Sequence, residues 1–263
     1  MRSRARVSRS GPTYLDDAIA TVVLRERDAG EVRLDPQLLD ARDPVDLLAC
    51  LRAGPAPRVI PQIKRRARDP DMADFSAAHL AATLADAGAP LISVCTSERD
   101  GGPIDDLPAA CGAVAVPVLW SDLVVSSRQL VVARRAGAQA VVLTVLALPP
   151  PRLRELAVLA RRLGLAPVGR VHDEAGIERA LAAGIACLEV SAREPATGSL
   201  DLERACSFRS SVPRRFGFIV GGGISDHGQV VAMRGRDIDA VVVGRHLMQA
   251  DDPGLALMSL AAY

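Results

Sequence analysis

Aromatic residues make up only 3% of this 263-residue chain, which has one Trp, two Tyr and four Phe. Hydrophobic residues still reach 49%, so the core has to be filled by Ala, Val, Leu and Ile, the branched packing expected of buried parallel strands. Paired cysteine motifs are missing as well. Cys50, Cys95, Cys111, Cys187 and Cys206 are odd in number and widely spaced, with no CxxC pair, which removes the usual zinc and dithiol signatures and leaves reduced thiols. There is no charge excess: the net charge is +1, which argues against a nucleic-acid partner. No apolar run approaches a membrane span, and the Arg- and Ser-rich residues 1–13 lack the apolar segment of a signal peptide. The expectation is a cytoplasmic protein with no membrane and no nucleic-acid partner, in which residues 1–13 are a disordered arm.

What the chain does have is a regular alternation of short apolar runs and helical segments. Residues 14–27 carry Leu15, Ile19, Val22 and Val23 at helical spacing, and Asp43 before Pro44 reads as an N-cap with proline in the first helical turn. Residues 14–58 therefore form a helical extension, available to cover the bottom or the rim of the domain after it. From there, strand candidates fall at 59–64, 91–95, 116–119, 140–145, 167–172, 187–191, 218–222 and 240–244. Helical stretches such as 77–87, 127–136, 151–163, 174–183 and 228–233 separate them. Repeated strand–helix units with short connections predict an α/β fold, a (β/α)8 TIM barrel over residues 59–263. A doubly wound open sheet is the alternative, but it has no need of two successive glycine-ended strands at the C-terminal end of the chain.

Those two strand ends are Val220-Gly221-Gly222-Gly223 and Val243-Gly244. Glycines there let backbone N–H groups approach an anion, and Ser225 and Asp226 are placed to cap a following helix. Glycine also serves tight turns in any α/β protein. Two such ends in succession favour the anion, because the loops after strands 7 and 8 of a barrel frequently hold phosphate. Gly222, Gly223 and Gly244 are the expected phosphate cradle.

Several short motifs occur in barrel order: Val59-Ile60-Pro61-Gln62-Ile63-Lys64-Arg65, Ile92-Ser93-Val94-Cys95-Thr96, Pro117-Val118-Leu119, Val171-His172-Asp173-Glu174, Val243-Gly244 and Ala250-Asp251-Asp252-Pro253. Together they resemble the indole-3-glycerol phosphate synthase family over nearly the whole chain. The resemblance implies a carboxy-lyase of tryptophan biosynthesis that works without a cofactor on a carboxyphenylamino deoxyribulose phosphate. The family reaction condenses C1 of the anthranilate ring with a ketone and loses carbon dioxide and water. It needs a general acid at the ketone oxygen and a carboxylate base. At the corresponding positions this chain departs from the family. Glu and Lys of the first strand become Gln62 and Lys64, the third-strand lysine acid becomes Ser121, and the fifth-strand Glu becomes Arg170. The sixth-strand asparagine falls on Ser191, while the arginine that meets the substrate carboxylate is kept as Arg193. The seventh-strand Ser-Glu-Ser-Gly falls on Val220-Gly221-Gly222-Gly223, and the family's phosphate loop after strand 1 on Arg66-Ala67-Arg68-Asp69-Pro70.

Lys64 is thus the remaining catalytic candidate, and Lys64, Arg193, Gly222, Gly223, Gly244 and Arg245 are the expected substrate and phosphate ligands. Strand alternation turns Gln62 with Lys64, Arg170 with His172, and Glu189 with Ser191. An inward guanidinium needs an acceptor, and Glu189 on the next strand is the candidate partner of Arg170, a water-exposed strand end being its other reading. His172, His227 and His246 are not at metal-ligand spacing, so no metal is assigned. Trp120 reads as packing, with stacking on an aromatic ligand at the mouth as the alternative. The function expected is a barrel that binds a phosphorylated, carboxylated small molecule with the ring closure lost. A non-catalytic sensor or scaffold with a possible protein partner, and an enzyme of altered chemistry using Lys64, stay open beside it.

Overall fold

The computed structural model describes residues 14–29, 38–39, 43–65, 76–97 and 102–262; the arm expected at 1–13 and the loop at 66–70 lie outside them. Eight strands close into a barrel: β1 (Arg58–Ile63), β2 (Ile92–Val94), β3 (Val118–Trp120), β4 (Ala140–Thr144), β5 (Ala166–Val171), β6 (Cys187–Ser191), β7 (Gly217–Gly221) and β8 (Ala240–Val243). Neighbours are parallel throughout, and β8 pairs with β1 to complete the ring. Among the described residues, two α-helices, α1 (Tyr14–Asp28) and α2 (Leu47–Arg52), precede β1. The strand-to-strand crossovers are α3 (Ala77–Asp86), α4 (Asp106–Ala113), α5 (Ser127–Arg135), α6 (Pro150–Arg162), α7 (Glu174–Ala182), α8 (Leu202–Ser207) and α9 (His227–Ala232). Helices α10 (Arg245–Gln249) and α11 (Pro253–Ala261) follow β8. No described helix is long and apolar enough to cross a membrane.

Local chemistry starts these helices where strands end. Asp173, Asp201, Asp226 and Asp252 each accept a backbone N–H from the first turn of α7, α8, α9 and α11, and Ser126 opens α5 in a reciprocal capping box with Gln129. The cap of α2 is Asp46, which accepts from Ala49 N, and not the Asp43 suggested by its proline. Strand limits differ from the sequence expectation by a residue or two. Apolar runs mark where a strand is buried, whereas the ladder decides where it begins, as with β3, which enters its pairing with β2 at Val118.

Alternation along the strands separates two cores. Outward residues such as Val59, Ile63, Val118, Leu143, Val190 and Phe218 pack under the helices. Inward residues Ile60, Leu119, Val142, Val168, Ile219 and Val242 form a second apolar cluster that includes Leu47 and Leu51 of α2. Leu51 is fully buried. Arg52 at the end of α2 donates Nε to Asp239 Oδ1 at 2.7 Å, just ahead of β8, so α2 stoppers the bottom of the barrel.

The other helix of the extension lies at the opposite end. Leu15, Ala18 and Val22 of α1 line a cavity at the mouth, while Val23 points to solvent. Glu26, 6% exposed, pins α1 to the start of α5 by accepting from Ser126 Oγ at 2.6 Å and Arg128 Nη2 at 2.8 Å. Burial alone raises the pKa of this carboxyl, but the Arg128 and Ser126 hydrogen bonds outweigh it and hold the group below its ordinary value. The extension therefore covers both ends of the barrel, one with each helix.

Candidate functional site

One inward position above the apolar layer, the strands turn polar. Arg170 of β5 sits in register with Thr144 of β4 on one side and Glu189 of β6 on the other. Its guanidinium forks onto the Glu189 carboxylate, Nε to Oε1 and Nη2 to Oε2, both at 3.0 Å. Nη2 also donates to Ser121 Oγ at 2.7 Å. Gln62 Nε2 donates to the same Ser121 oxygen at 3.1 Å and reaches Ser93 Oγ at 3.3 Å. Side chains from β6, β5, β1 and β2, with Ser121 just past β3, thus form one hydrogen-bonded chain across the barrel. Glu189 is 5% exposed, so it is an interior acid and not a strand-end group in water. The bidentate geometry supplies the charge-assisted partner that a buried guanidinium requires.

Glycine at position 221 makes room for this arrangement. A Cβ there would lie 2.6 Å from Glu189 Oε1, closer than any van der Waals contact. Glu189 and a larger residue at 221 therefore exclude each other, and the carboxylate that the family resemblance places on strand 7 has no space in this chain.

The residues expected to hold phosphate gather on one side of the mouth. Lys64, Arg193, Gly222, Gly223, Gly244 and Arg245 all line a cavity of about 450 Å³. A Cβ on Gly244 would meet Lys64 Cε at 3.0 Å and Gln62 Oε1 at 3.3 Å, so a bare backbone there lets the lysine lie across the end of β8. Neither Lys64 nor Arg245 has an ion-pair partner among the described residues. Gly222 and Gly223 take φ of 96° and 82°, a left-handed turn that disfavours other residues. Ser225 N is used by Gln229 Oε1 at 2.8 Å, and Asp226 alone supplies the side-chain cap of α9. Arg193 reaches the same cavity, but its Nη1 donates to Gly198 O at 2.5 Å, which braces the guanidinium against the loop after β6.

The mouth continues under α1 as a second space of about 540 Å³, which shares Leu15, Cys95, Ser121, Arg170 and His172 with the first and adds Ala18, Val22 and Leu123. Sequence reasoning missed these α1 contributors because nothing in an amphipathic helix says which end of a barrel it will meet. It also passed over Thr144, whose buried Oγ1 has no hydrogen-bond partner among the described residues. Burial, with Arg170 adding to it, pushes the His172 pKa down to about 4, so its ring is neutral at pH 7 and contributes no positive charge to the site. His227 Nδ1 lies 3.2 Å from Leu260 O in the last turn of α11, and His227 lines neither mouth cavity. Trp120 is buried in the outer core, where its Nε1 donates to Thr96 Oγ1 at 2.8 Å. It cannot stack on a ligand in the mouth, since its neighbour Ser121 takes the inward parity.

Fold and cavity together define a (β/α)8 barrel with a cavity at the C-terminal ends of the strands, where barrels of this kind hold their ligands, under a helix that precedes the first strand. Solved structures share this architecture. Thiamine phosphate pyrophosphorylase from Pyrococcus furiosus matches with a TM-score of 0.60 at 16% identity, over 82% of this chain and 96% of that one. A mutant tryptophan synthase alpha-subunit from the same organism matches with a TM-score of 0.60 at 16% identity, over 78% and 98%. At such identities the likeness speaks for the fold alone. Sequence goes further. A family profile described as indole-3-glycerol phosphate synthase matches residues 20–260. Proteins named indole-3-glycerol phosphate synthase are 36% identical in Parafrankia sp. (strain EAN1pec), over 91% of this chain and 90% of theirs, and 35% identical in Mycobacterium sp. (strain KMS), over 95% and 94%. Indole-3-glycerol phosphate synthase 1 of Streptomyces coelicolor is 34% identical over 94% and 93%. The chain belongs to the indole-3-glycerol phosphate synthase family, barrels of tryptophan biosynthesis that bind a phosphorylated substrate.

Proposed function

We propose that this barrel binds a phosphorylated, carboxylated small molecule in its mouth and has lost the family's decarboxylating ring closure. The observation that carries the reading is the Arg170 fork on Glu189, tied to Ser121 and through it to Gln62. Ring closure requires one group to protonate a ketone oxygen and a carboxylate to take a proton. At those positions the chain has an amide, a hydroxyl that accepts two hydrogen bonds, and a permanent cation. The acid left in this layer, Glu189, has both oxygens engaged by the guanidinium, and taking up a proton means breaking that pair.

The binding side of the mouth is better preserved. Lys64 and Arg245 line the cavity as cations with no ion-pair partner among the described residues, and the glycine turns after β7 and β8 leave backbone accessible to a phosphoryl group. Arg193 is the group for a ligand carboxylate, and the apolar wall of Leu15, Ala18, Val22 and Leu123 suits an aryl or alkyl body. Five cysteines, none of them in a disulfide, fit a reducing compartment, so the cytoplasm is the proposed location. A second reading, an enzyme of altered chemistry, is favoured by one observation: Lys64, with no ion-pair partner among the described residues, is a candidate nucleophile towards a ligand carbonyl.

Thermal unfolding with a pentose phosphate tests the binding. The melting temperature rises with ligand concentration by mass action, and Lys64→Met removes the rise while leaving the unliganded midpoint in place. A wild-type protein that does not respond, or a Lys64→Met variant that responds as the wild type does, contradicts the assignment.

A further inference from the structure

We infer a second anion site at the opposite end of the barrel, in a cavity of about 370 Å³ that Arg52, Arg209, Arg214, Asp237 and Asp239 help to line, and which takes a small ligand bearing a phosphate or carboxylate. The cavity lies at the bottom. Arg52 ends the stopper helix α2, and Asp239, just before β8, accepts Phe218 N near the start of β7 at 2.8 Å.

The charges here pair off and leave one cation over. Asp239 takes Arg52 through Nε at 2.7 Å and Nη2 at 3.4 Å, and Asp237 takes Arg214. Arg209 has no carboxylate partner among the described residues. It is 9% exposed, its guanidinium lies 5.2 Å from the centre of the Phe218 ring, and its Nη1 is buried without a hydrogen-bond acceptor among them. A face-on aromatic ring satisfies such a cation only in part, and a buried guanidinium without an acceptor is unfavourable. Burial accordingly lowers its pKa. Arg209 lines the adjoining cavity, and a small turn of its side chain would bring Nη1 to an acceptor held there. Planar guanidinium groups suit the paired oxygens of phosphate and carboxylate. Arg52 is already braced by Arg214 O at 2.8 Å, while the Arg214 side chain, 82% exposed, is free to swing from Asp237 onto a ligand. An anion held there would join the extension to the β7–β8 end of the barrel through Arg52.

Calorimetric titration of the full chain with inorganic phosphate, and separately with acetate, decides the matter. A Lys64→Met/Arg245→Met background removes the contribution of the mouth. Phosphate or acetate is expected to bind at one site in that background, and the better of the two identifies the ligand chemistry. Arg209→Met should weaken binding about tenfold or more, the loss of one charge-assisted contact, with no fall in the unliganded melting temperature. Arg214→Gln, on an exposed side chain, should weaken it a few-fold, and it carries the test if Arg209→Met fails to fold. Absence of binding by both anions, or affinity unchanged by the arginine substitutions, overturns the proposal. Because the readout is the part of binding that depends on Arg209 and Arg214, a mouth that does not bind phosphate leaves the result intact.

Discussion

Two residues separate the apolar layer of the barrel from its polar layer along each strand. Ile60 is followed inward by Gln62, Leu119 by Ser121, Val168 by Arg170, Cys187 by Glu189 and Ile219 by Gly221. The same alternation aims both layers at the barrel axis, but the two layers answer to different requirements. Below, a side chain needs only the right volume, and Leu47 and Leu51 of α2 finish the packing. Above, each side chain needs a partner of complementary charge or hydrogen-bonding sense, so one residue cannot change without another. That is how Arg170, Glu189 and Gly221 come to form a set.

The largest effects should come from removing single members of either layer. Leu51→Ala takes a fully buried side chain out of the stopper and should destabilise by about 2–5 kcal/mol in denaturant unfolding. Arg170→Ala should cost about 2–3 kcal/mol, because it leaves Glu189 buried without a counter-ion. Here the layers diverge. An Arg170→Met/Glu189→Leu double variant should return to within about 1 kcal/mol of the parent, whereas no second change to a smaller residue rescues Leu51→Ala. Losses that simply add at positions 170 and 189 would erase the distinction.

A smaller effect sharpens the link to β7. Gly221→Ala drives a methyl onto Glu189 Oε1 and should cost about 1–3 kcal/mol, most of it recovered when Glu189→Ala is added. Equal cost in both backgrounds would mean that Glu189 does not set the requirement for glycine.

The smallest effect is a pH dependence that belongs to the mouth alone. The folded pKa of His172, about 4, lies below its reference value of 6.5, so the unfolded chain binds the proton first. The stability that the neutral ring contributes is complete above pH 6.5 and is lost as pH falls from there to about 4. Because the ring borders a solvent-filled cavity, the difference between wild type and a His172→Gln variant across that window should be only about 1 kcal/mol. Parallel stability curves for the two proteins would remove His172 from the account.

Much of this arrangement was legible in the chain, for identifiable reasons. Eight apolar runs with helical spacers define a closed parallel barrel, and strand parity, with the inward face taken from the family resemblance at Arg170 and Ser191, puts Arg170 and Glu189 inward on neighbouring strands. Parity also held the answer for Trp120, since an inward Ser121 turns its neighbour outward into the core. The dependence of Glu189 on Gly221 was not legible, because it rests on a 2.6 Å approach between residues that are not even in register, Gly221 standing opposite Ser191. Nor were the separate destinations of α1 and α2, as short amphipathic helices give no sign of which end of a barrel they will close. Arg52 and Arg209 meet at the bottom from elements far apart in sequence, and composition offers no hint of it.

The most direct test is the turnover of the purified wild-type chain on carboxyphenylamino deoxyribulose phosphate, followed by indole fluorescence. With a cation at the fifth-strand position and its carboxylate partner locked, indole formation should stay at the uncatalysed background even when ligand saturates the mouth. Turnover near the ordinary enzyme value of about 10 per second would contradict the account, by showing that the Arg170–Glu189 layer performs the chemistry it is argued to have displaced.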